Sequence, residues 1–248
     1  MDAKDMTERT GQDQKALAAL PVHIRARLDE FNQDLVKVLG SELVGVILHG
    51  SVARGEYRVG ESGVDAIVVV VDPSFEKLEA IGDTLQRARY AARIEAIIVT
   101  EDEIAGASDV FPLFYDEIKQ RHILLSGRDP FATVEVHDTY RRLRIEQELR
   151  EAQLRLRRAV TDALGAREAI GGAVNRKVRQ VRGTFHALLA LKGIRVSPDL
   201  ATVLAKIGET YGVDLSPVQR ASDEPQAAHV ALTSVLAKAI EDINKMAG

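Results

Sequence analysis

Val44-Gly45-Val46-Ile47-Leu48-His49-Gly50-Ser51 and Val64-Asp65-Ala66-Ile67-Val68-Val69-Val70-Val71 decide the fold of this 248-residue chain. Both are apolar, β-branched runs of strand length, and the connection between them carries Gly50, Ser51, Arg54, Gly55, Gly60 and Gly63. Runs of this kind read as buried strands, and such a connection reads as turns. One charge, Asp65, interrupts the second run. A carboxylate inside a buried strand is costly unless it is paired, hydrogen-bonded or bound to a metal. At the end of the first run, Gly50-Ser51 offers unhindered backbone N–H groups and a hydroxyl, which suits a phosphate.

The stretch resembles the signature of the nucleotidyltransferase superfamily, the DNA polymerase β-like fold: a hydrophobic residue, Gly-Ser, a run of variable residues, then Asp-hydrophobic-Asp on a strand. His49-Gly50-Ser51-Val52-Ala53-Arg54-Gly55 fits the first half, with His49 where the family usually has an apolar or aromatic residue. Where the family reads Ser-Asp-Ile-Asp, this chain reads Ser62-Gly63-Val64-Asp65, so a glycine replaces the first aspartate. The resemblance implies an α/β (α+β) domain with a mixed sheet that binds a nucleoside triphosphate through Gly50, Ser51 and Arg54. It further implies that Asp65 and Glu95 hold Mg²⁺ and act in catalysis.

Residues i and i+2 of a strand share a face. In the family two aspartates so placed hold two Mg²⁺ ions, which bind the nucleotide phosphates and help activate the attacking hydroxyl. Mg²⁺ needs hard oxygen ligands, and a glycine supplies no side chain. Losing one charge-stabilising donor from an active site costs about 2.7–4 kcal/mol in barrier, and a lost metal ligand should cost at least as much. Glu61 has the parity of Asp65 and is the substitute donor if the strand is irregular at Gly63.

The composition is that of an ordinary globular protein large enough for a real core. A formal charge of −4 and a pI near 5.9 give no global sign of nucleic-acid binding. Without cysteine there is no disulfide, thiolate chemistry or Cys-ligated zinc. No apolar run approaches membrane-spanning length, and the polar start Met1-Asp2-Ala3-Lys4-Asp5 is not a signal peptide, so a cytoplasmic location is expected.

Residues 1–16 are polar and expected to be loose. From Ile24 the apolar residues Leu28, Phe31, Leu35, Val38 and Leu39 recur at helical spacing, and Gly40 stops the helix. Asp72-Pro73-Ser74 turns the chain into a helix over 75–91. Ile94-Glu95-Ala96-Ile97-Ile98-Val99 reads as a third strand with one internal acid. Glu95 matches the family's third carboxylate, which helps bind metal and deprotonate the acceptor hydroxyl. The plainer reading is that Asp65 and Glu95 form ordinary ion pairs with arginines such as Arg54 or Arg93. Thr100-Glu101-Asp102-Glu103 looks like a helix start with an acidic first turn. A short helix near 111–119, a strand from His122 and the phrase Gly127-Arg128-Asp129-Pro130 resemble the end of the family's catalytic domain.

Beyond Asp138 the strands cease. Tyr140, Leu143, Leu149, Ala152, Leu156, Ala159, Val160 and Ala163 mark the expected apolar face of a long helix, with Glu146→Arg150 and Glu151→Arg155 as i,i+4 pairs. Further helices are expected over 166–192, 198–211 and 224–247. The organisation expected is a nucleotidyltransferase-like domain over 17–133 and an all-α bundle over 134–248. Arg182-Gly183-Thr184-Phe185-His186 and the Leu/Ala run to Lys192-Gly193 resemble the HEPN family of bundles in part, and similar bundles follow the catalytic domain in aminoglycoside nucleotidyltransferases. Arg179 and His186 have the spacing of the HEPN ribonucleases but lie in the wrong helix. The arginines between Arg141 and Arg182 suit a phosphate, an RNA backbone or an acidic partner, or else a solvated, salt-bridged helix surface. No aromatic residues interleave with them, which speaks against single-stranded nucleic acid.

Two functions of different class follow. One is an enzyme that moves a nucleoside monophosphate from a triphosphate onto a hydroxyl. The other is a degenerate, toxin–antitoxin-like relative that binds a nucleotide or a partner protein without catalysis, its bundle serving dimerisation as a homodimer.

Overall fold

The computed structural model describes residues 3–246 and the side chains of 11–246. The chain divides into two compact units, one of residues 1–108 and 114–135, the other of 109–113 and 136–248.

The first unit runs α1 (Ala3–Ala18), α2 (Val22–Leu39), a 3₁₀ turn, β1 (Leu43–His49), α3 (Gly50–Ala53), β2 (Val64–Val70), α4 (Phe75–Ala92), β3 (Ile94–Val99), α5 (Glu101–Gly106), α6 (Pro112–Gln120) and β4 (Ile123–Gly127). The four strands make one mixed sheet in the order β3-β2-β1-β4. β1 pairs antiparallel with β2 and β4, whereas β2 and β3 are parallel and are joined by the crossover helix that parallel neighbours require. Alternation then divides the strand residues between two faces. Val46, Leu48, Val64, Ala66, Val68, Ile94 and Ile123 share one core with Phe31 and Leu35 of α2 and with Ile81 and Ala88 of α4. The opposite face carries the buried Ile47, Ile67 and Val69, and then His49, Asp65 and Glu95.

Local chemistry fixes the joints. Thr100 and Glu103 form a reciprocal capping box at the start of α5, as the acidic first turn suggested. The N-terminus departs from expectation. Residues 3–18 form α1 instead of a loose segment, while Met1 and Asp2 lie outside the described residues. The stretch is rich in helix formers, Ala16 is buried in the core of the unit, and Asp13 pairs with Arg121 at 2.7 Å.

The second unit contains α7 (Asp138–Asp162), α8 (Arg167–Leu191), α9 (Leu200–Tyr211), the short α10 (Ser216–Gln219) and α11 (Pro225–Lys245). Its core joins Ile145, Leu149, Ala152 and Leu156 of α7 to Val174, Val178, Val181, Phe185 and Leu188 of α8 and to Leu232, Leu236 and Ile243 of α11. The buried stripe of α7 keeps Leu149, Ala152, Leu156 and Ala163 of the expected face but is narrower than expected. Ile145 faces in, while Leu143 and Val160 are 49% and 40% exposed. Positions 145, 149, 152 and 156 keep to one narrow arc at 3.6 residues per turn, and 143 and 160 fall outside it. Among the described residues no helix is long and apolar enough to cross a membrane.

Gly127 provides a test of the sheet. Its φ is +78°, and a Cβ there would run into the Val44 carbonyl where β4 meets β1. Gly127→Ala is expected to cost more than the roughly 1–3 kcal/mol of the backbone conformation alone, read as a lower denaturation midpoint with an unchanged slope.

Candidate functional site

The register of three adjacent strands builds the site. His49, the last residue of β1, lies opposite Asp65 on β2, and Asp65 lies opposite Glu95 on β3. Directly opposed residues have Cβ atoms about 4.5–5.5 Å apart, so an imidazole and two carboxylates stand in one row on one face. The sequence-derived pair Asp65 and Glu95 is therefore brought together. Among the described residues, no ion pair reaches either carboxylate. The two arginines expected as their partners are engaged elsewhere. Arg54 binds Glu56 at 2.8 Å and also Glu117, and Arg93 Nη1 donates to the Gly60 carbonyl at 3.0 Å.

Gly50 begins α3 with φ +66°, and a Cβ built on it would lie 2.5 Å from Asp65 Oδ2. The Asp65 carboxylate thus lies against the backbone of the Gly-Ser turn, where a Cβ would displace it, and the positive φ separately favours glycine. Ser51 follows and is half-buried. Arg54, expected to bind nucleotide, is only 16% exposed, with its guanidinium held by the two glutamates. Gly63 immediately precedes β2 and is not among the positive-φ glycines; a Cβ there would lie 3.1 Å from the Arg93 carbonyl oxygen. Glu61 does not substitute for the missing aspartate. It is exposed in the turn before the strand, 3.8 Å from Arg58.

His49 packs edge-on against Phe114, with centroids 5.2 Å apart and planes at 89°. Burial lowers its pKa below the ordinary value; Asp65 and Glu117 oppose the shift and Arg54 reinforces it. A cleft of about 420 Å³ is lined by His49, Asp65, Glu95, Phe114, Gln86 and Arg89. A groove of about 490 Å³ between α2 and α4 is larger, but its charges are already matched as Arg27–Glu30 and Arg87–Asp34. The smaller cleft holds the uncommitted acids and is the candidate site.

Sequence reasoning missed Phe114, Glu117, Gln86 and Arg89. Phe114 and Glu117 lie three apart on α6, which puts both on one side of that helix, and Gln86 and Arg89 have the same spacing on α4. That periodicity was visible, but nothing in it says which strand the helix face meets.

The lowered pKa of His49 has a pH consequence. Below the ordinary value of 6.5 the unfolded chain takes up a proton that the folded chain resists. Stability therefore falls as pH drops from about 6.5 toward the folded value, at no more than about 1.4 kcal/mol per pH unit, and His49 adds no slope above that window. His49→Phe should remove this part of the acid-side loss, as measured by urea denaturation between pH 5 and 8. An unchanged slope would show that another group carries it.

The model of the nucleotidyltransferase domain matches residues 26–150. No curated protein matches the chain. The crystal structure of spectinomycin adenyltransferase AAD(9) from Enterococcus faecialis with ATP and spectinomycin is similar at a TM-score of 0.53 and 13% identity, over 90% of this chain and 99% of that one. At that identity the likeness is one of fold, and it spans both the sheet domain and the bundle. With half of its length matched by the family model and the site on the matching strands, the chain belongs to the nucleotidyltransferase domain family.

Proposed function

We propose that the cleft binds a nucleoside triphosphate together with Mg²⁺, and that the chain passes the nucleoside monophosphate to a hydroxyl acceptor. The observation that carries this reading is the in-register Asp65–Glu95 pair, free of arginine partners and set beside the Gly50-Ser51 turn. Asp65 is half-buried and Glu95 exposed, so the pair is open to a cation arriving from solvent. The donor set fits one such ion. Mg²⁺ commonly takes one or two protein carboxylates and completes its shell with phosphate oxygens and water. It falls short of two, since Gly63 contributes nothing and no three His, Asp or Glu side chains among the described residues are grouped to hold a metal.

When bound, the cation would neutralise phosphate charge and lower the pKa of a coordinated hydroxyl. The chain's own residues do the rest. Gly50 and Ser51 present backbone N–H groups and a hydroxyl to the phosphates, and Asp65 and Glu95 would hold the cation that offsets the triphosphate's charge. Glu95 takes the proton of the acceptor hydroxyl as its oxygen attacks the α-phosphorus and the bond to the β-phosphate breaks, releasing pyrophosphate. Arg54 keeps the Gly-Ser turn in place through Glu56 and Glu117.

Gly63 favours a second reading, in which the triphosphate is bound but transfer is lost and the protein serves a regulatory partner. Residue 63 separates the two. Calorimetry with the four triphosphates should show binding that requires Mg²⁺ and disappears in Asp65→Asn. Gly63→Asp should tighten that binding and raise transfer by about 10²-fold or more, the scale of one restored charge-stabilising group. Transfer already fast in the unmodified chain would discard the second reading. Binding that is identical in chelator, or absent throughout, would discard the first.

A further inference from the structure

The cleft beside Asp65 does not stop at the face that carries the acids. Its lining includes Glu95 and Ile97 from one face of β3, Ile94 and Ala96 from the other, and Gln86 and Arg89 of α4. Alternate residues of a strand point to opposite faces, so a cleft that meets four consecutive residues runs round the strand's open edge. β3 has such an edge, as the outermost strand of the order β3-β2-β1-β4. From the Gly-Ser turn after β1 the cleft thus passes Asp65 and Glu95 and ends at the last turn of α4. We propose that this far end holds the hydroxyl acceptor, and that Arg89 selects an acceptor carrying an oxyanion, a phosphate or a carboxylate. This rests on the reading of the cleft as a triphosphate site and goes beyond it in naming the class of acceptor.

The order of groups along the cleft sets the places of the two substrates. With the phosphates beside Gly50 and Ser51, Glu95 stands one strand past Asp65, on the side away from that turn. A hydroxyl that gives its proton to Glu95 therefore comes from the β3 edge, where Gln86 and Arg89 line the cleft from one side of α4. Charge then decides what the acceptor carries. Among the cations of α4, Lys77 reaches Glu42 at 2.5 Å and Arg87 reaches Asp34 at 2.9 Å. Among the described residues Arg89 has no side-chain partner of this kind, and its neighbours at helical spacing are Leu85, Gln86, Ala92 and Arg93, none of them acidic. A guanidinium is always charged, and its fork of donors matches a carboxylate or phosphate through two parallel hydrogen bonds. Ile97, 46% exposed, and Phe114 add apolar surface for the body of a small acceptor. Arg89 also complements the carbonyl end of α4, a role that would stabilise the helix without favouring any ligand.

The test uses the full-length protein loaded with MgCl₂ and a triphosphate analogue whose α,β-bridge is methylene, so that no transfer occurs. Glucose, glucose 6-phosphate, glucuronate and glucosamine are then titrated by calorimetry, four probes that share hydroxyls and differ in charge. At least one anionic sugar should bind about tenfold more tightly than glucose, the scale of one charge-assisted hydrogen bond. That preference should shrink as NaCl is raised, because the site is open to solvent. Preference for glucose 6-phosphate alone or for glucuronate alone would support the proposal and say which oxyanion is read. Arg89→Gln should bring the anionic sugars to the level of glucose and leave triphosphate affinity within about twofold, and Arg89→Lys should keep part of the preference. A folded Arg89→Gln that keeps the preference would show a helix-stabilising role only and overturn the proposal. Equal binding of all four probes by the unmodified chain, or tighter binding of glucosamine, would overturn the acceptor class and leave the triphosphate reading intact. A folded Arg89→Gln that loses the triphosphate would assign Arg89 to that substrate and overturn the proposal. No binding of triphosphate by the unmodified chain would overturn both.

Discussion

The pairing of β2 with both β1 and β3 is the constraint on which the rest depends. A shift of one residue in either ladder would send Asp65 or Glu95 to the helix-covered face, where a carboxylate would be buried among Val64, Ala66 and Ile94. The apolar residues of β2 prevent that shift. Val64, Ala66, Val68 and Val70 must face α2 and α4, while Ile67 and Val69 fill the opposite side, and only position 65 faces partly open space. The burial that folds the sheet is therefore also what orients the chemistry. It does so over one residue per strand, at the end where β1 gives way to the Gly-Ser turn.

The strands were legible in the sequence because each is a compact β-branched run bounded by glycine or polar turns. β3 begins and ends at Ile94 and Val99 as its apolar run does, and α4 ends one residue beyond the expected helix. Register was partly legible too, since the lone acids Asp65 and Glu95 interrupt otherwise apolar runs and must avoid the core. What could not be read was which residues of other elements reach that face. Glu117 is far from Arg54 in sequence, and only the fold of α6 across the end of the sheet brings them into an ion pair. The narrowed stripe of α7 has a related cause. Leu143 and Val160 look like core residues by type, yet partner packing chose the arc around Ile145 and Leu149.

The arginine-rich helices show the opposite case, where composition suggested a partner and geometry supplies an internal explanation for much of it. α7 and α8 together hold twelve Lys or Arg and six Asp or Glu. Arg142 and Arg150 both reach Glu146, Arg144 reaches Glu148, Arg155 reaches Glu151 and Arg158 reaches Asp162, all at i,i+4. Such exposed pairs contribute about 0.3–0.5 kcal/mol each, enough to favour a helix and too little to define a site. His186, which shares a spacing with Arg179, spends its Nε2 on the Val196 carbonyl at 3.2 Å. The bundle's charges thus serve first to keep a long exposed helix intact.

Two glycines of one loop carry different physical meanings, and the difference bears on how the site came to lack an acid. Gly50 is favoured by its positive φ, and a Cβ there would displace the Asp65 carboxylate oxygen from its place. Gly63 differs in its φ. Its backbone lies outside the left-handed region, and the one neighbour a Cβ would meet, the Arg93 carbonyl, stands at 3.1 Å and would have to give by a few tenths of an ångström. Arg93 itself has φ 51°, a conformation that a non-glycine residue adopts at some cost, and its carbonyl accepts from the Val64 N–H at 2.9 Å, where β2 begins to pair with β3. Backbone conformation therefore makes no demand for glycine at 63, and the close Arg93 carbonyl is what a side chain there would meet. An acid at 63 would press on the carbonyl that opens the β2–β3 pairing, so the missing carboxylate is tied to the local packing at the start of β2.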